Sequence, residues 1–384
     1  MTSLIRDLAG STAEMLAVFS DEKTVVQALR FEVALAHAQV AEGLISADQA
    51  RAIAEACALL EVDPAQLATE AAHAGTLAIP LVRRLRAAIG DSQTAEVVHL
   101  GATSQDVADT VMALQAQAAG DLIARDLSRI ATALVRLAET EAATPMLGRT
   151  LMQAAQPITF GLKASQWLLA VDEAAGRFQR EREAALVLQL GGAVGTLASL
   201  SGAGPAVAQR MAADLGLAVA PLPWHARRNA VAGLGAALAI VTGAVAKIAR
   251  DIALLAQTEV AEAFEPQVPG RGGSSVMAHK RNPTGCQVAL SASLRTPGLA
   301  ATLLGALPQE HERGLGGWQA EGPVVVELFQ LTHGAVAAMA QVVEGLEIDT
   351  AAMARNLAAA GVGSDVGEAQ AMVARALEQH RKGG

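Results

Sequence analysis

The residues best equipped for chemistry are grouped between Pro266 and Asn282, where Pro266, Pro269, Gly270, Gly272 and Gly273 are interspersed with Arg271, Ser274, Ser275, His279, Lys280 and Asn282. Glycines let a backbone approach a ligand closely and let a loop close over it. A serine hydroxyl is a weak base and nucleophile until cations and backbone N–H groups stabilise its alkoxide. Lys280 and the neighbouring amides are close enough in sequence to do this, so the stretch points to proton transfer or nucleophilic attack by a serine. A glycine-rich surface loop with incidental charges is the alternative that these residues alone leave open.

Such a loop needs long, stiff elements to position it. After His99-Leu100-Gly101-Ala102, Thr103 or Ser104 can cap a helix with Asp106 in its first turn, and no proline follows until Pro145. About 40 helical residues span on the order of 60 Å. Further long segments are expected from about Pro157 to Leu190, with Pro157 at a first helical position, and from about Asn229 to Phe264. Another starts at Pro283 and is bent or broken at Pro297, and a last one runs from about Trp318 to Gly345. The first hundred residues read as shorter helices, broken near Gly10, Gly43, Asp63-Pro64, Gly75 to Pro80 and Gly90-Asp91. No alternating strand pattern and no fixed repeat are visible. The expected fold is all-α: a small N-terminal helical domain (1–102), an elongated central bundle of about five long helices (103–347), and a short C-terminal helical stub (348–384).

Composition supports this. Of 384 residues, 52% are hydrophobic and only 2% aromatic, with no Tyr, so the core must be built from Ala, Leu and Val, which suit closely packed helices. A net charge of −9 argues against nucleic acid as a partner, because phosphate binding needs a basic field. Cys57 and Cys286 make neither a disulfide framework nor a zinc site. That, with an N-terminus lacking a signal-peptide apolar region, leads to the expectation of a cytoplasmic protein. The uncharged runs 230–246 and 184–209 read as buried protein rather than membrane spans.

The string Gly273-Ser274-Ser275-Val276-Met277-Ala278-His279-Lys280-Arg281-Asn282-Pro283 resembles the G-S-S-x-M-P-x-K-x-N-P signature of the fumarase/aspartase superfamily, with Ala278 in place of its first proline. His99 to Asp106 resembles the family's T-S loop, and Gly148-Arg149-Thr150-Leu151-Met152-Gln153 its G-R-T-x-x-Q segment. The resemblance implies a homotetramer in which these three segments meet from different subunits to form each active site. It also implies a fumarase/aspartase-type bundle of five long helices, here with a truncated C-terminal domain.

Within the superfamily, the adenylosuccinate lyase branch carries a His in G-R-T-H that protonates the leaving group. Here that position is Leu151, which cannot transfer a proton. A carboxylate leaving group needs no acid, and this directs the resemblance to the lactonising branch, the carboxymuconate cycloisomerases. The segments 74–82, 222–225 and 309–321 resemble the same branch. The resemblance implies Ser274 as the proton-transfer residue, with Lys280 and Asn282 binding a substrate carboxylate and supporting the serine anion. Ser275, Thr103, Ser104, Gln153, His73 and His99 are implied as substrate-binding residues. Arg228 and Arg313 are implied carboxylate clamps, since guanidinium grips carboxylate in a two-point fork. His225 beside Trp224 is read as a packed histidine or a site residue, and Trp318 as core. No cofactor and no metal are expected. A fumarate-releasing lyase of the adenylosuccinate or argininosuccinate type and a catalytically silent helical scaffold are the alternatives.

Overall fold

The computed structural model describes residues 4–273, 277 and 280–383. A short lead of α1 (Leu4–Gly10) and α2 (Ala13–Val18) precedes α3 (Asp21–Ala41), α4 (Ala47–Leu59), α5 (Pro64–Ala74), α6 (Ala78–Ile89) and α7 (Ser92–Val97). The chain then enters α8 (Ser104–Thr140), strands β1 (Pro145–Thr150) and β2 (Gln153–Thr159), and α9 (Phe160–Ala185). β3 (Val187–Leu188), α10 (Gly204–Leu215) and β4 (Ala218–Val219) lead to α11 (Asn229–Leu255) and β5 (Ala263–Phe264). Last come α12 (Thr284–Gly305), α13 (Gly317–Glu344), β6 (Glu347–Ile348), α14 (Thr350–Ala360) and α15 (Ala369–Gly383).

The architecture is all-α, with α8, α9, α11, α12 and α13 as the long helices of one bundle. Their main core contains Ile123, Trp167, Leu238, Phe329 and Met339. A second core gathers α3 to α6 with the first turns of α8 and with α10, through Phe31, Leu85, Val111 and Met211. Small residues allow close helix approach: a Cβ added at Gly120 of α8 would collide with the Arg182 side chain of α9, and one at Gly235 of α11 with Leu303 of α12. α11 and α13 are long and apolar enough to cross a membrane, but both are core helices, with 61% of each apolar window buried.

The N-terminal breaks fall where glycine, Asp63 and Pro64 predict them. Gly75 and Gly90 end α5 and α6 in the left-handed conformation, and Asp63 caps α5 with Pro64 in its first turn. Elsewhere the structure corrects the sequence reading. Pro157 does not open α9. It lies within β2, opposite Leu147, and Thr159 caps the helix by accepting the Leu162 N–H at 3.1 Å. The segment from Asn229 leaves the helix at Leu255, well before Phe264, which belongs to β5. α12 runs through Pro297 without a break. Strands are present, chiefly the β1–β2 hairpin. It lacks a clean alternation because its register shifts between Leu147 and Arg149 and its turn residues, Leu151 and Met152, both have positive φ.

Candidate active site

The first half of the site is built around the start of α8. The fully buried Asp106 carboxylate accepts the Thr103 N–H at 2.9 Å and the Gly191 and Gly192 N–H groups at 3.0 Å each. It also lies 2.7 Å from His225 Nε2. One carboxylate therefore caps the start of the helix, fixes the Thr103–Ser104 corner and holds the 191–192 loop against it. Glycine is needed at both loop positions: a Cβ on Gly191 would stand 2.7 Å from His225 Cε1, and one on Gly192, whose φ is +67°, 2.8 Å from the Gly101 carbonyl oxygen. Thr103 and Ser104 are half-buried, and the Ser104 hydroxyl has no hydrogen-bond partner among the described residues.

His99 reaches the same corner with φ +63°, and its Nδ1 lies 2.7 Å from the buried Glu32 carboxylate. Burial opposes the imidazolium, yet Glu32, by charge and hydrogen bond, and Asp106 together hold His99 above its ordinary pKa. Arg313 lies against the 191–193 loop, donating through Nη2 to the Gly192 and Ala193 carbonyls at 3.3 and 2.9 Å, while its buried Nε has no partner among the described residues. His73 is exposed at the end of α5.

Arg228 departs from the sequence reading. Instead of presenting a free fork to a substrate, it is buried and holds two carboxylates of its own chain. Nη1 and Nη2 donate to Asp109 at 2.8 and 2.9 Å, and Nε lies 2.9 and 3.1 Å from the two oxygens of Glu321, which Nη2 also meets. The Trp224 ring covers the guanidinium 4.7 Å away. Burial pushes Glu321 above the usual carboxylate range, although Arg228 draws it back. Trp318, expected as core, is half-buried and adds an Nε1–H directed at Asp109 from 3.3 Å.

The second element is the β1–β2 hairpin. Arg149 ties it to the bundle by a two-point ion pair with the fully buried Glu262, at 2.9 and 2.8 Å, and Asn356 donates to the same carboxylate. The tip projects into solvent: Leu151 is 96% exposed, and Met152 and Gln153 are exposed beside it.

The third element is the root of the serine loop. Ser274 and Ser275 themselves lie outside the described residues. The Asn282 N–H donates to the Gly272 carbonyl at 2.8 Å, and Gly272 (φ +71°) passes so close that a Cβ would lie 2.6 Å from the Asn282 oxygen. Arg281 clasps the base by donating to the Glu265 carbonyl at 2.7 Å, pairing with Glu347 at 2.9 Å and covering Phe264. Glu265 in turn accepts the Gly285 and Cys286 N–H groups at the start of α12. Arg271, exposed Lys280, Arg281 and Asn282 line a cavity of about 370 Å³.

The Thr103 corner lies far from the root of the serine loop within one chain, whereas the hairpin and the loop root are both tied to the 262–265 segment. α8 and α13 run parallel, with Trp318 beside Asp109 at one end and Glu344 beside Arg129 at the other. Glu321 belongs to the Thr103 end through Arg228 and Asp109, whereas Gln341 accepts from Arg271 at the loop end. From Glu321 to Gln341 the helix rises roughly 30 Å. Asn282 and Thr103 of the same chain therefore do not share a site.

A family model described as lyase matches residues 8–298. The chain belongs to this lyase family. It is 45% identical to a 3-carboxy-cis,cis-muconate cycloisomerase of Bradyrhizobium diazoefficiens, over 90% of the chain and 77% of the relative. A nitrosuccinate lyase of Streptomyces davaonensis is 42% identical over 91% of the chain and 75% of that relative. The crystal structure of 3-carboxy-cis,cis-muconate lactonizing enzyme from Pseudomonas putida superposes with a TM-score of 0.92 at 35% identity, covering 99% of this chain and 100% of that one. The all-α bundle is thus the fumarase/aspartase-type fold of this lyase family.

Sequence reasoning placed the lyase's three motif segments but missed the groups that hold them. Asp106 is read from the sequence as a first-turn residue at the end of the T-S loop segment, and its four partners, the Thr103, Gly191 and Gly192 N–H groups and His225, are not visible there. Glu32 carried a usable signal, since it interrupts the apolar face formed by Ala28, Phe31, Leu35 and Ala36 of α3. Glu262, Asp109 and Glu321 had none, because their partners are distant in sequence.

Proposed function

We propose that the chain is an intramolecular lyase, a cycloisomerase that closes 3-carboxy-cis,cis-muconate, or a closely related substituted muconate, to a muconolactone. One substrate carboxylate oxygen forms a C–O bond to a carbon of a C=C bond. The π pair becomes a C–H bond at the other carbon, α to a second carboxylate, and takes a proton from Ser274. Serine then regains its proton from solvent. Lys280 and Asn282 bind a substrate carboxylate and stabilise the serine anion. Thr103, Ser104, Ser275, Gln153, His73, His99 and Arg313 supply the remaining polar contacts, as a tricarboxylate requires. Arg228 acts behind them, holding Asp109 and Glu321.

The observation that carries this reading is Leu151. The hairpin tip offers an apolar, exposed side chain where an amine or hydroxide leaving group would need a proton donor. A carboxylate needs none. A nitrite leaving group would not need one either, so the 42% identity to a nitrosuccinate lyase makes fumarate and nitrite release the second reading. Product analysis separates them: the lactone alone from a carboxymuconate supports the first, whereas fumarate and nitrite from nitrosuccinate support the second.

The separation of Asn282 from Thr103 supports assembly of each site from several copies in a homotetramer. Leu151 and Met152 at the hairpin tip and Leu294 on α12 are exposed apolar groups available to partners. Sedimentation equilibrium giving a monomer would contradict this. The reading includes a cytoplasmic location and a small-molecule substrate, with no nucleic acid or membrane partner.

A further inference from the structure

Three consecutive residues before the Thr103 corner are gripped by side chains from two other helices, the outer two at their carbonyls and the middle one at its ring. Arg86 of α6 donates to the Val98 carbonyl at 2.9 Å, and Gln39 of α3 donates to the Leu100 carbonyl at 2.7 Å. Between them Glu32 of α3 takes the ring of His99. His99 has a positive φ although it is not glycine, a conformation that persists only where the surroundings over-determine it. The next turn is equally fixed, since Gly101 has φ +77° with Leu200 pressed against it. Glu32 is 3% exposed, and among the described residues its hydrogen-bond partner is His99 alone. The His99 side chain keeps 15% of its surface exposed, and its Nε2 takes no partner among the described residues.

We propose that Glu32 is a positioning residue for His99: its buried carboxylate takes the Nδ1–H, fixes the ring, and presents Nε2–H as a charged donor to a substrate carboxylate. This rests on the reading of the Thr103 corner as part of the substrate site. Charge-assisted donors are roughly twice as strong as neutral ones, so keeping the imidazolium charged matters for binding a polyanion. The groups facing the pair are Arg86 from α6, Asp106 from α8 with His225 behind it, and Cys57 from α4 against Glu32. Of these, Asp106 adds to the effect of Glu32 and Arg86 opposes it.

The test compares wild type, Glu32→Gln and Ser274→Ala in turnover of 3-carboxy-cis,cis-muconate across pH, with the His99 ring followed by NMR titration. In Glu32→Gln the His99 titration should move to lower pH. The alkaline fall of kcat/KM should move with it, and KM at neutral pH should rise about tenfold with a much smaller change in kcat, the size of one weakened charged hydrogen bond. A merely structural Glu32 would lower stability without moving the profile. An unchanged His99 titration and KM in Glu32→Gln, with turnover lost in Ser274→Ala, overturns the inference and leaves the site reading standing. Turnover retained in Ser274→Ala overturns that reading, and the inference with it. Should Glu32→Gln fail to fold, the wild-type titration decides: addition of substrate or an unreactive tricarboxylate must raise the His99 titration point, and no shift overturns the proposal.

Discussion

His225 Nε2 lies 2.7 Å from an Asp106 oxygen where neither residue meets solvent to any useful degree, the ring being 3% and the carboxylate 0% exposed. The same carboxylate holds three backbone N–H groups, so one residue joins α8, the 191–192 loop and the 225 segment. Asp106→Asn replaces a charged acceptor by a neutral one and turns an N–H₂ group toward donors that already point inward. The expected loss is about 3 kcal/mol of stability, since hydrogen bonds to a buried charge contribute about 1.5–3 kcal/mol each and neighbours compensate in part. Urea denaturation measures it, and a change below about 0.5 kcal/mol would show that Asp106 is not the hub.

Arg228 gives a sharper contrast. Removing its charge in Arg228→Met leaves Asp109 and Glu321 buried together without a cation, with an expected cost of about 3–5 kcal/mol. Arg228→Lys should recover only part of this, because one ammonium cannot hold two carboxylates with the geometry of a guanidinium fork. Denaturant midpoints of the two variants check the order.

Two histidine–carboxylate networks, those of His99 and His333, predict opposite pH slopes. His99 is held above its ordinary value, chiefly by Glu32 working against burial. Its contribution to stability is therefore complete below the unfolded-state value and is lost as pH rises through the folded-state one. His333, between Thr12 and Asp126, is held below its ordinary value because burial outweighs Asp126. Its contribution is present above the unfolded-state value of about 6.5 and is lost as pH falls through the folded-state one. Thermal midpoints measured across this range should fall on both sides of neutrality. Glu32→Gln should flatten the alkaline limb and His333→Gln the acid limb.

Both thiols should be silent in the folded protein. Burial, with Glu32 nearby, pushes Cys57 up to about 12, and burial with Glu265 pushes Cys286 upward too. A thiol reagent at neutral pH should label neither residue until denaturant is added, and then both. Rapid labelling of the native protein would contradict the burial of α4 and of the α12 start.

These features show what a reader of the sequence can and cannot see. The long helices α8, α9 and α11 were legible because proline-free apolar runs of that length have few other outcomes, α12 and α13 despite Pro297 and Pro323 inside them, and the three motif segments because they are contiguous. The hairpin was hidden by a register shift and by two non-glycine turn residues at positive φ. The Arg228 pairs were hidden because Asp109 and Glu321 lie 119 and 93 positions away. The Glu32–His99 pair spans 67 positions, and only the interruption of an apolar helix face hinted at it. Nor does a sequence show that Thr103 and Asn282 stand at opposite ends of one bundle.

The most direct measurement is a spectrophotometric one. The purified protein is mixed with 3-carboxy-cis,cis-muconate and the diene absorbance is followed beside a protein-free control and the Ser274→Ala variant. The account predicts rapid loss of the diene band with one equivalent of lactone formed, and a Ser274→Ala protein that keeps the helical fold but loses most turnover. Loss of the band no faster than in the protein-free control would contradict it.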